Sequence, residues 1–380
     1  MTFGFNSDII SVKGEVDLMS DSYKASYLPL ASEAIDQNVF VEELIDATAK
    51  LEVYKEKIRD SKLDSAWFMP TLQQKEALAS SKLEGTQATL DGVLTNQIAP
   101  NEKDENLNEV ANYYAATVKG YDALRYNDFS NDFFWNMHRT LMSGNVRKPD
   151  LIGAYRRGQN YIGRNDAART IVFTPPAAED VPALMNNLID YMNQPQDSFR
   201  PLVRTAIIHA QFETIHPFKD GNGRVGRMLI PMYLFAKKQI ELPCFFISEA
   251  LERDKAKYYA LLMNIRTKGD WNGWIKFFLA TVAEQCDKYI QIISSINVLY
   301  TKHLDIACRL ARSSNMVDVI NALYQYPITT AKQLAEITNT PKASINRYLN
   351  LLMENQILIS DGSGRNRTFF YYDLLDILRP

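Results

Sequence analysis

The densest cluster of side chains able to do chemistry is His216-Pro-Phe-Lys-Asp220-Gly-Asn-Gly-Arg224-Val-Gly-Arg227. It joins two apolar runs of helical periodicity, Leu202 to Ile215 and Met228 to Ala236, so it sets charged groups at the edge of a core. Gly221 and Gly223 flank Asn222 and permit positive φ, hence a tight loop entering the second helix. Such a loop exposes backbone N–H groups at a helix amino terminus, which suits an anion. Arg224 and Arg227 are three residues apart and share a face of the first turn. Cations at that end oppose the helix dipole, so the pair makes sense with an anion between it and the amides. Asp220, the one carboxylate of the junction, is a candidate ligand for a hard cation such as Mg²⁺, which takes one or two carboxylates plus phosphate oxygens. His216 is a candidate general base, with a pKa expected near neutrality. Anion loop, paired arginines, metal carboxylate and base together describe phosphoryl or nucleotidyl transfer.

Taken singly, each part has a plainer reading: a histidine capping a helix, a Gly-Asn-Gly turn, two solvated arginines. Their coincidence within twelve residues between two apolar helices favours the chemical one. Gly221-Asn-Gly223-Arg-Val-Gly226 also matches G-x-G-x-x-G, with Glu241 twenty residues on. A dinucleotide fingerprint needs a preceding strand. The run before this one is helical and no βαβ pattern lies nearby, so that reading is set aside. The phosphate loop G-x-x-x-x-G-K-[ST] is absent.

The elements that must hold this cluster are mostly helices. Apolar spacing predicts helices over Ser32 to Arg59, Gln73 to Leu83, Asn106 to Leu124, Asp132 to Leu141, Val181 to Met192, Leu202 to Ile215, Arg224 to Lys238, Glu249 to Thr267 and Trp271 to about Leu310. Between Pro149 and Pro176 the pattern lapses. There Gly153-Ala-Tyr-Arg-Arg-Gly-Gln-Asn-Tyr-Ile-Gly and Arg169-Thr-Ile-Val-Phe-Thr read as a short hairpin or ordered loop. The last 65 residues read as helices over Met316 to Tyr324, Thr330 to Ile337 and Thr340-Pro341 through Met353, then strands over Gln356 to Ser360 and Thr368 to Tyr372. Three helices and a two-stranded ribbon form a winged helix-turn-helix pattern.

A length of 380 residues suggests two or three domains at about 150 residues each. The net charge of −3 gives no global case for nucleic acid or an anionic membrane. Cys244, Cys286 and Cys308 are too few and too scattered for a zinc site or disulfide framework. The start, Met1 to Asp8, lacks a basic stretch followed by an apolar core, and no run of about 18 apolar residues occurs. The expectation is a cytoplasmic chain without a membrane partner.

The stretch from His216 to Arg227 resembles the Fic signature, H-x-F-x-[DE]-G-N-G-R-x-x-R, at every fixed position. Gly153 to Gly163 and Phe173-Thr-Pro-Pro also resemble that family's core, and the likeness covers about residues 35 to 280. The resemblance implies a mainly α fold: a Fic-type helical core with a short β-hairpin flap, here followed by the small winged helix-turn-helix domain. It implies a protein adenylyltransferase moving AMP from ATP to a protein hydroxyl, with ATP as substrate and Mg²⁺ as cofactor. His216 would take the hydroxyl proton. Asp220 would hold Mg²⁺ between the α- and β-phosphates. The nucleotide would lie on Gly221, Asn222, Gly223, Arg224, Val225, Gly226 and Arg227, with Gly221 to Gly223 as anion hole and the arginines on the β- and γ-phosphates. Tyr258 or Tyr259 would lie beside the adenine. The flap residues Asn160, Tyr161, Ile162 and Gly163 would align the target segment by strand addition.

Upstream, Ser80-Ser-Lys-Leu-Glu84-Gly85 resembles the family's inhibitory motif, [ST]-x-x-x-E-[GN]. Glu84 could pair with Arg227, the arginine meant for the γ-phosphate, and so misplace the triphosphate. Ser81-x-x-Glu84 also reads as a capping box, but Gly85 would then sit inside a helix at a cost of about 1 kcal/mol. A helix ending at Gly85 fits better, with a cation facing Glu84 to answer the dipole. His138, His209 and His303 are most simply structural, and Trp271 and Trp274 packing residues.

The expected division is 1–100, an N-terminal helical region with the inhibitory helix; 101–290, the catalytic core; 291–315, a linker helix; and 316–380, the winged helix. The recognition helix would carry Lys342, Ser344, Asn346 and Arg347, and the wing Arg365, Asn366 and Arg367. Residues 316–380 hold six basic and six acidic side chains, so a DNA contact competes with docking of the target or a homodimer contact. A DNA-binding regulator is the alternative for the whole chain, and removal of AMP is a second activity the same site could support. The chain itself is a candidate target.

Overall fold

The computed structural model describes residues 9–11, 21–144, 151–164, 170–311 and 313–379. The chain start to Asp8, Pro149 and Arg169, all used in the reading above, lie outside the described residues. In chain order the elements are β1 (Ile9–Ser11), α1 (Val41–Arg59), α2 (Ser65–Leu83), α3 (Leu90–Asn96), α4 (Glu105–Leu124), α5 (Asn131–Leu141), β2 (Ile162–Arg164) and β3 (Ile171–Phe173). Next come α6 (Val181–Asn193), α7 (Pro201–Ile215), α8 (Asn222–Ala236), α9 (Ser248–Arg253), α10 (Lys255–Lys268) and α11 (Trp271–Leu310). The chain continues with α12 (Ser314–Gln325), β4 (Ile328–Thr330), α13 (Ala331–Ile337), α14 (Lys342–Glu354), β5 (Ile359–Ser360), β6 (Thr368–Phe370) and α15 (Tyr372–Leu378). The fold is mainly helical, as its periodicity predicts.

These elements form two compact units. The first comprises Met1–Thr48, Ala79–Thr86 and Asn112–Ala283. Its centre is the pair α7 and α8, whose residues are nearly all buried. Pro201 opens α7 at its first position, where a missing N–H costs nothing. Trp274, fully buried, donates its indole N–H to Ala206 O at 2.9 Å and so ties α11 to α7. A small antiparallel sheet of order β1-β2-β3 lies in the same unit. Ile9, Ile10 and Ser11 face Arg164, Gly163 and Ile162, and Ile162 faces Phe173 on its other side, with a bulge between Ile162 and Gly163.

The second unit comprises Ala49–Leu78, Gln87–Ala111 and Glu284–Pro380. Its sheet has order β4-β6-β5, antiparallel throughout, in the chain sequence α12-β4-α13-α14-β5-β6. Thr330 caps α13 by accepting the Gln333 N–H, as its position predicts. Arg379 grips Asp91 with two guanidinium bonds, of which the shorter is 2.6 Å.

Several boundaries differ from the sequence reading. Residues 32–40 form two 3₁₀ turns, because the Asp36 carboxylate takes the Asn38 N–H and breaks the helical ladder. Helix α2 begins at Ser65 and runs through Pro70, held helical by buried Phe68, Met69 and Leu72. The run expected over 249–267 breaks at Asp254 into α9 and α10. Thr340 does not cap α14: Pro341 stands at the cap and the Thr340 hydroxyl bonds Thr338 O. The elements α3, β4 and α15 went unread, since three to seven residues are too short for a period to show. The ribbon therefore has three strands, not two.

Candidate functional site

The candidate site is built on the loop between α7 and α8. Two left-handed residues shape it: His216 (φ 51°), which ends α7, and Gly221 (φ 76°), which opens α8. Gly221 has no side chain to cap the helix, so the first amides of α8 are open to an external anion. Between them Phe218 is fully buried and anchors the loop. Its N–H donates to Asn222 Oδ1 and its carbonyl accepts from Asn222 Nδ2, both at 2.8 Å, which closes the loop on itself. Asn160 Nδ2 donates to the same carbonyl at 2.8 Å.

Two buried side chains outside the signature hold the loop from beneath. His138 stacks on Phe218 with ring centroids 4.0 Å apart. Its Nδ1 accepts the Gly153 N–H at 2.9 Å, so its Nε2 is the protonated nitrogen and donates to Asp220 O at 3.1 Å. Burial lowers its pKa to about 4. Arg156 donates through Nε to His216 O at 2.9 Å and through Nη2 to Ile215 O and Pro176 O, while Pro217 O takes its backbone N–H. A guanidinium thus satisfies carbonyls at the end of α7, where a cation also suits the helix dipole. The residues around Arg156 in the Gly153 to Gly163 stretch suggest no role for it. Its partners His216 O and Ile215 O lie about 60 residues away and Pro176 O lies 20 away, and the letters beside Arg156 do not announce them.

His216 is half-buried, and its Nδ1 has no hydrogen-bond partner. Burial, reinforced by the charges of Arg266 and Arg156, lowers its pKa to about 3. The expectation of a near-neutral pKa is therefore corrected: the imidazole is held neutral far below pH 7. Asp220 accepts the Gly221 N–H at 2.7 Å and its side chain is 46% exposed. Arg224 is buried, with Nη2 at 3.8 Å from Met142 Sδ and 3.9 Å from Asp220 Oδ1.

Arg227 is 1% exposed. It donates through Nε to Ser80 Oγ and through Nη2 to Ser80 O, both 2.8 Å, and through Nη2 to Glu84 Oε1 at 2.7 Å. Burial pushes the Glu84 carboxyl up, but Arg227 outweighs it and holds the group below the ordinary carboxylate range. The Glu84 carboxylate, acting against burial, holds Arg227 above its ordinary value in turn. Helix α2 ends at Leu83 and Gly85 takes φ 98°, so Ser81 is in the last turn and Glu84 directly follows it, and the two do not form a capping box. Glu84 also lies over the start of α8: a Cβ added to Gly223 would meet its Oε1 at 2.3 Å. A carboxylate thus sits where the loop suits an anion.

Glu213, unremarked in the sequence, is buried three residues before His216, and its Oε1 has no partner. Burial raises its carboxyl to about 7. It packs against Gly226, where an added Cβ would meet Oε1 at 2.3 Å. Val225 is fully buried. His209 donates from Nδ1 to Gly226 O and so accepts from the Tyr258 hydroxyl at Nε2, both 2.9 Å. Tyr258 is completely buried, with Tyr259 half-buried beside it at 4.9 Å between ring centroids. His209 and His138 have the structural places expected of them.

The flap residues divide. Asn160 is buried on the loop, Tyr161 and Ile162 are half-buried, and Gly163 is buried within β2. Both edges of β2 are paired, one by β3 and the other by β1. The edge expected to take a target segment is therefore occupied by the chain itself.

Residues 128–234 match the model of the Fic/DOC family, and residues 41–122 match that of the Fic/DOC family N-terminal region. The chain belongs to the Fic/DOC family. Among the relatives of this Fic chain, protein adenylyltransferase fic-1 of Caenorhabditis elegans is 28% identical over 179 residues, 46% of this chain and 32% of that protein. Protein adenylyltransferase Fic of Aedes aegypti is 29% identical over 162 residues, 42% and 29% of the two chains. The Fic chain thus spans about a third of the length of these curated relatives. A Fic family protein from Desulfovibrio desulfuricans G20 has the same fold, with a TM-score of 0.55 and 20% identity over 89% of this chain and 97% of that one. C. elegans Fic-1 (residues 134–508) matches with a TM-score of 0.52 and 20% identity, over 68% of this chain and 74% of that one. Among the described residues no helix is long and apolar enough to cross a membrane.

Proposed function

We propose that this Fic protein is a protein adenylyltransferase, held in check by Glu84. The observation that carries the reading is the Glu84 carboxylate itself, seated on the amino end of α8 and bonded to Arg227. The relatives named protein adenylyltransferase support the same class of reaction.

In the productive complex the triphosphate of ATP takes the place that Glu84 now holds. The amides of Gly221, Asn222 and Gly223, with Arg224 and Arg227, receive its β- and γ-phosphates, and Val225 and Gly226 back the turn. The acceptor oxygen of a Ser, Thr or Tyr side chain attacks the α-phosphorus and the bond to the β-phosphate oxygen breaks. Pyrophosphate leaves and the hydroxyl proton passes to His216. A hydroxyl is a weak nucleophile, so the neutral imidazole matters, and base catalysis of this kind contributes about 10²–10⁴-fold. Two arginines offset the charge that builds on the leaving group.

Asp220 is the residue that would hold Mg²⁺. Its exposed carboxylate fits a hard cation, and among the described residues no group of three or more ligating side chains could hold a metal alone. A bound ion would neutralise phosphate charge there. Tyr259, half-buried, is the better placed of the two tyrosines for the adenine, since Tyr258 is completely buried. The brake uses Ser80, Glu84 and Gly85: the hydroxyl and carbonyl of Ser80 aim Arg227, and the left-handed Gly85 ends the helix beside Glu84. The element order after residue 313, with a three-stranded sheet closed by β6, supports a winged helix. Residence in the cytoplasm belongs to the same proposal. The test is incubation with labelled ATP and Mg²⁺ followed by mass spectrometry. A protein-bound AMP supports the reading, whereas a different nucleotide or a phosphocholine adduct redirects it.

A further inference from the structure

Glu213 is a buried titratable group that the transfer steps leave unused. It stands on α7 one turn before His216, and its Oε1 is enclosed without a hydrogen-bond partner. The carboxyl lies against Gly226, the residue that precedes Arg227. The charged and titratable groups that face it come from three other elements: Arg227 of α8, Glu84 just after α2, and Arg266 and Tyr258 of α10. The two guanidinium groups favour its ionised form, whereas burial and the charge of Glu84 oppose it. Arg227 thus stands between two carboxyl groups. Glu84 takes a bond from its Nη2, and Glu213 acts on it through space.

A buried guanidinium needs a counter-charge in every state the site passes through. In the resting chain Glu84 supplies it, and in the nucleotide complex the γ-phosphate does. With Glu84 withdrawn and no nucleotide bound, Glu213 is the carboxylate left facing Arg227. It is also suited to change charge on demand. With Glu84 seated it titrates at about 7, whereas burial holds His138, His209 and His216 neutral down to about 4 or 3 and pushes the Tyr258 hydroxyl well up.

We propose that Glu213 is a reserve counter-ion for Arg227, ionising when Glu84 withdraws and taking up one proton when the phosphate of the nucleotide arrives. This rests on the adenylyltransferase reading above and makes Glu213 a positioning residue. The proton comes from solvent to a carboxylate oxygen and returns to solvent when the nucleotide leaves. An ionised Glu213 repels the incoming phosphate, so binding carries a proton with it and weakens as pH rises. Below the pH at which the free site ionises, affinity is level. Above it, affinity falls by up to about tenfold per pH unit, the limit for one linked proton. Removing Glu84 removes its repulsion, so Glu213 ionises at lower pH and proton uptake begins at lower pH than in wild type.

The experiment titrates the full chain with α,β-methylene ATP and Mg²⁺, whose α–β bridge cannot be cleaved. Calorimetry in two buffers of different ionisation enthalpy, across the Glu213 titration, gives both Kd and the number of protons taken up. Glu84→Gly should take up about one proton per nucleotide at and just above neutral pH, with Kd rising by up to about tenfold per pH unit. Glu84→Gly with Glu213→Gln, which keeps a neutral side chain of the same shape, should lose this dependence, and Glu213→Asp should restore it. A role in packing alone would move the melting temperature and leave the pH profile in place. The proton count on Glu84→Gly needs no change at position 213. Binding without proton exchange, or a pH profile that survives Glu213→Gln, would overturn the proposal and leave the adenylyltransferase reading standing. Binding of neither the analogue nor ATP at any pH would overturn that reading and the proposal with it.

Discussion

Replacing Glu84 by glycine should release transfer, and the size of the effect follows from the contacts. Glu84 Oε1 takes one charge-assisted bond of 2.7 Å from a guanidinium that is 1% exposed, and its own side chain is 32% exposed. A hydrogen bond to a charged group is worth about 1.5–3 kcal/mol, and the solvent on the glutamate side favours the lower end. Taking about 1.5–2 kcal/mol, at 1.4 kcal/mol per tenfold, transfer should rise about 10–30-fold. Arg227 keeps its bonds to Ser80 Oγ and Ser80 O, so the fold should survive. Glu84→Gln, which keeps the shape and loses the charge, should give an intermediate release. The assay is incorporation of label from ATP with pyrophosphate release in parallel. Equal rates in wild type, Glu84→Gln and Glu84→Gly would refute the brake, since the carboxylate would then not compete with a phosphate for Arg227.

His216→Ala should lower transfer by about 10²–10⁴-fold while the dissociation constant for ATP changes little; His216→Asn, which tolerates the left-handed φ of 51°, separates loss of the base from backbone strain. Arg156→Ala should destabilise the chain by about 3 kcal/mol or more, because it strips donors from several buried carbonyls, and Arg156→Lys should not restore the melting temperature. Acid should unfold the protein early: burial keeps His138 neutral to about 4, and His209 and His216 to about 3, whereas the unfolded chain protonates all three near 6.5. Glu213, protonated in the fold up to about 7, offsets one of these protons, so stability is present above pH 6.5 and falls by about 3 kcal/mol per pH unit down to about 4.5. A urea midpoint that stays level between pH 6.5 and 5 would count against that burial.

The loop was legible because its information is local. Phe218 and Asn222 bond each other across four residues, and His216 and Gly221 turn left-handed on either side of Phe218, so a string of letters carries the shape. Helix α7 and the Thr330 cap are legible for the same reason. The supports beneath the loop were not. Arg156 and His138 reach carbonyls about 60 and 82 residues away, and the letters around them name no partner. The Glu84 to Arg227 pair spans 143 residues and entered the sequence reading only through resemblance to a family motif.

The order of residues by itself determined which segments coil, where the chain can turn left-handed, and which twelve residues gather an anion's partners, because each depends on neighbours within about one helical turn. Tertiary structure alone decided the charge states and the occupants. Burial lowered the pKa of His216 from near neutrality to about 3, since removing water penalises the imidazolium wherever the ring is enclosed. Folding also seated Glu84 on the anion position and laid Ile9–Ser11 along β2. Both contacts close loops of well over a hundred residues, and only the summed packing of the folded chain can offset the entropy of closing them.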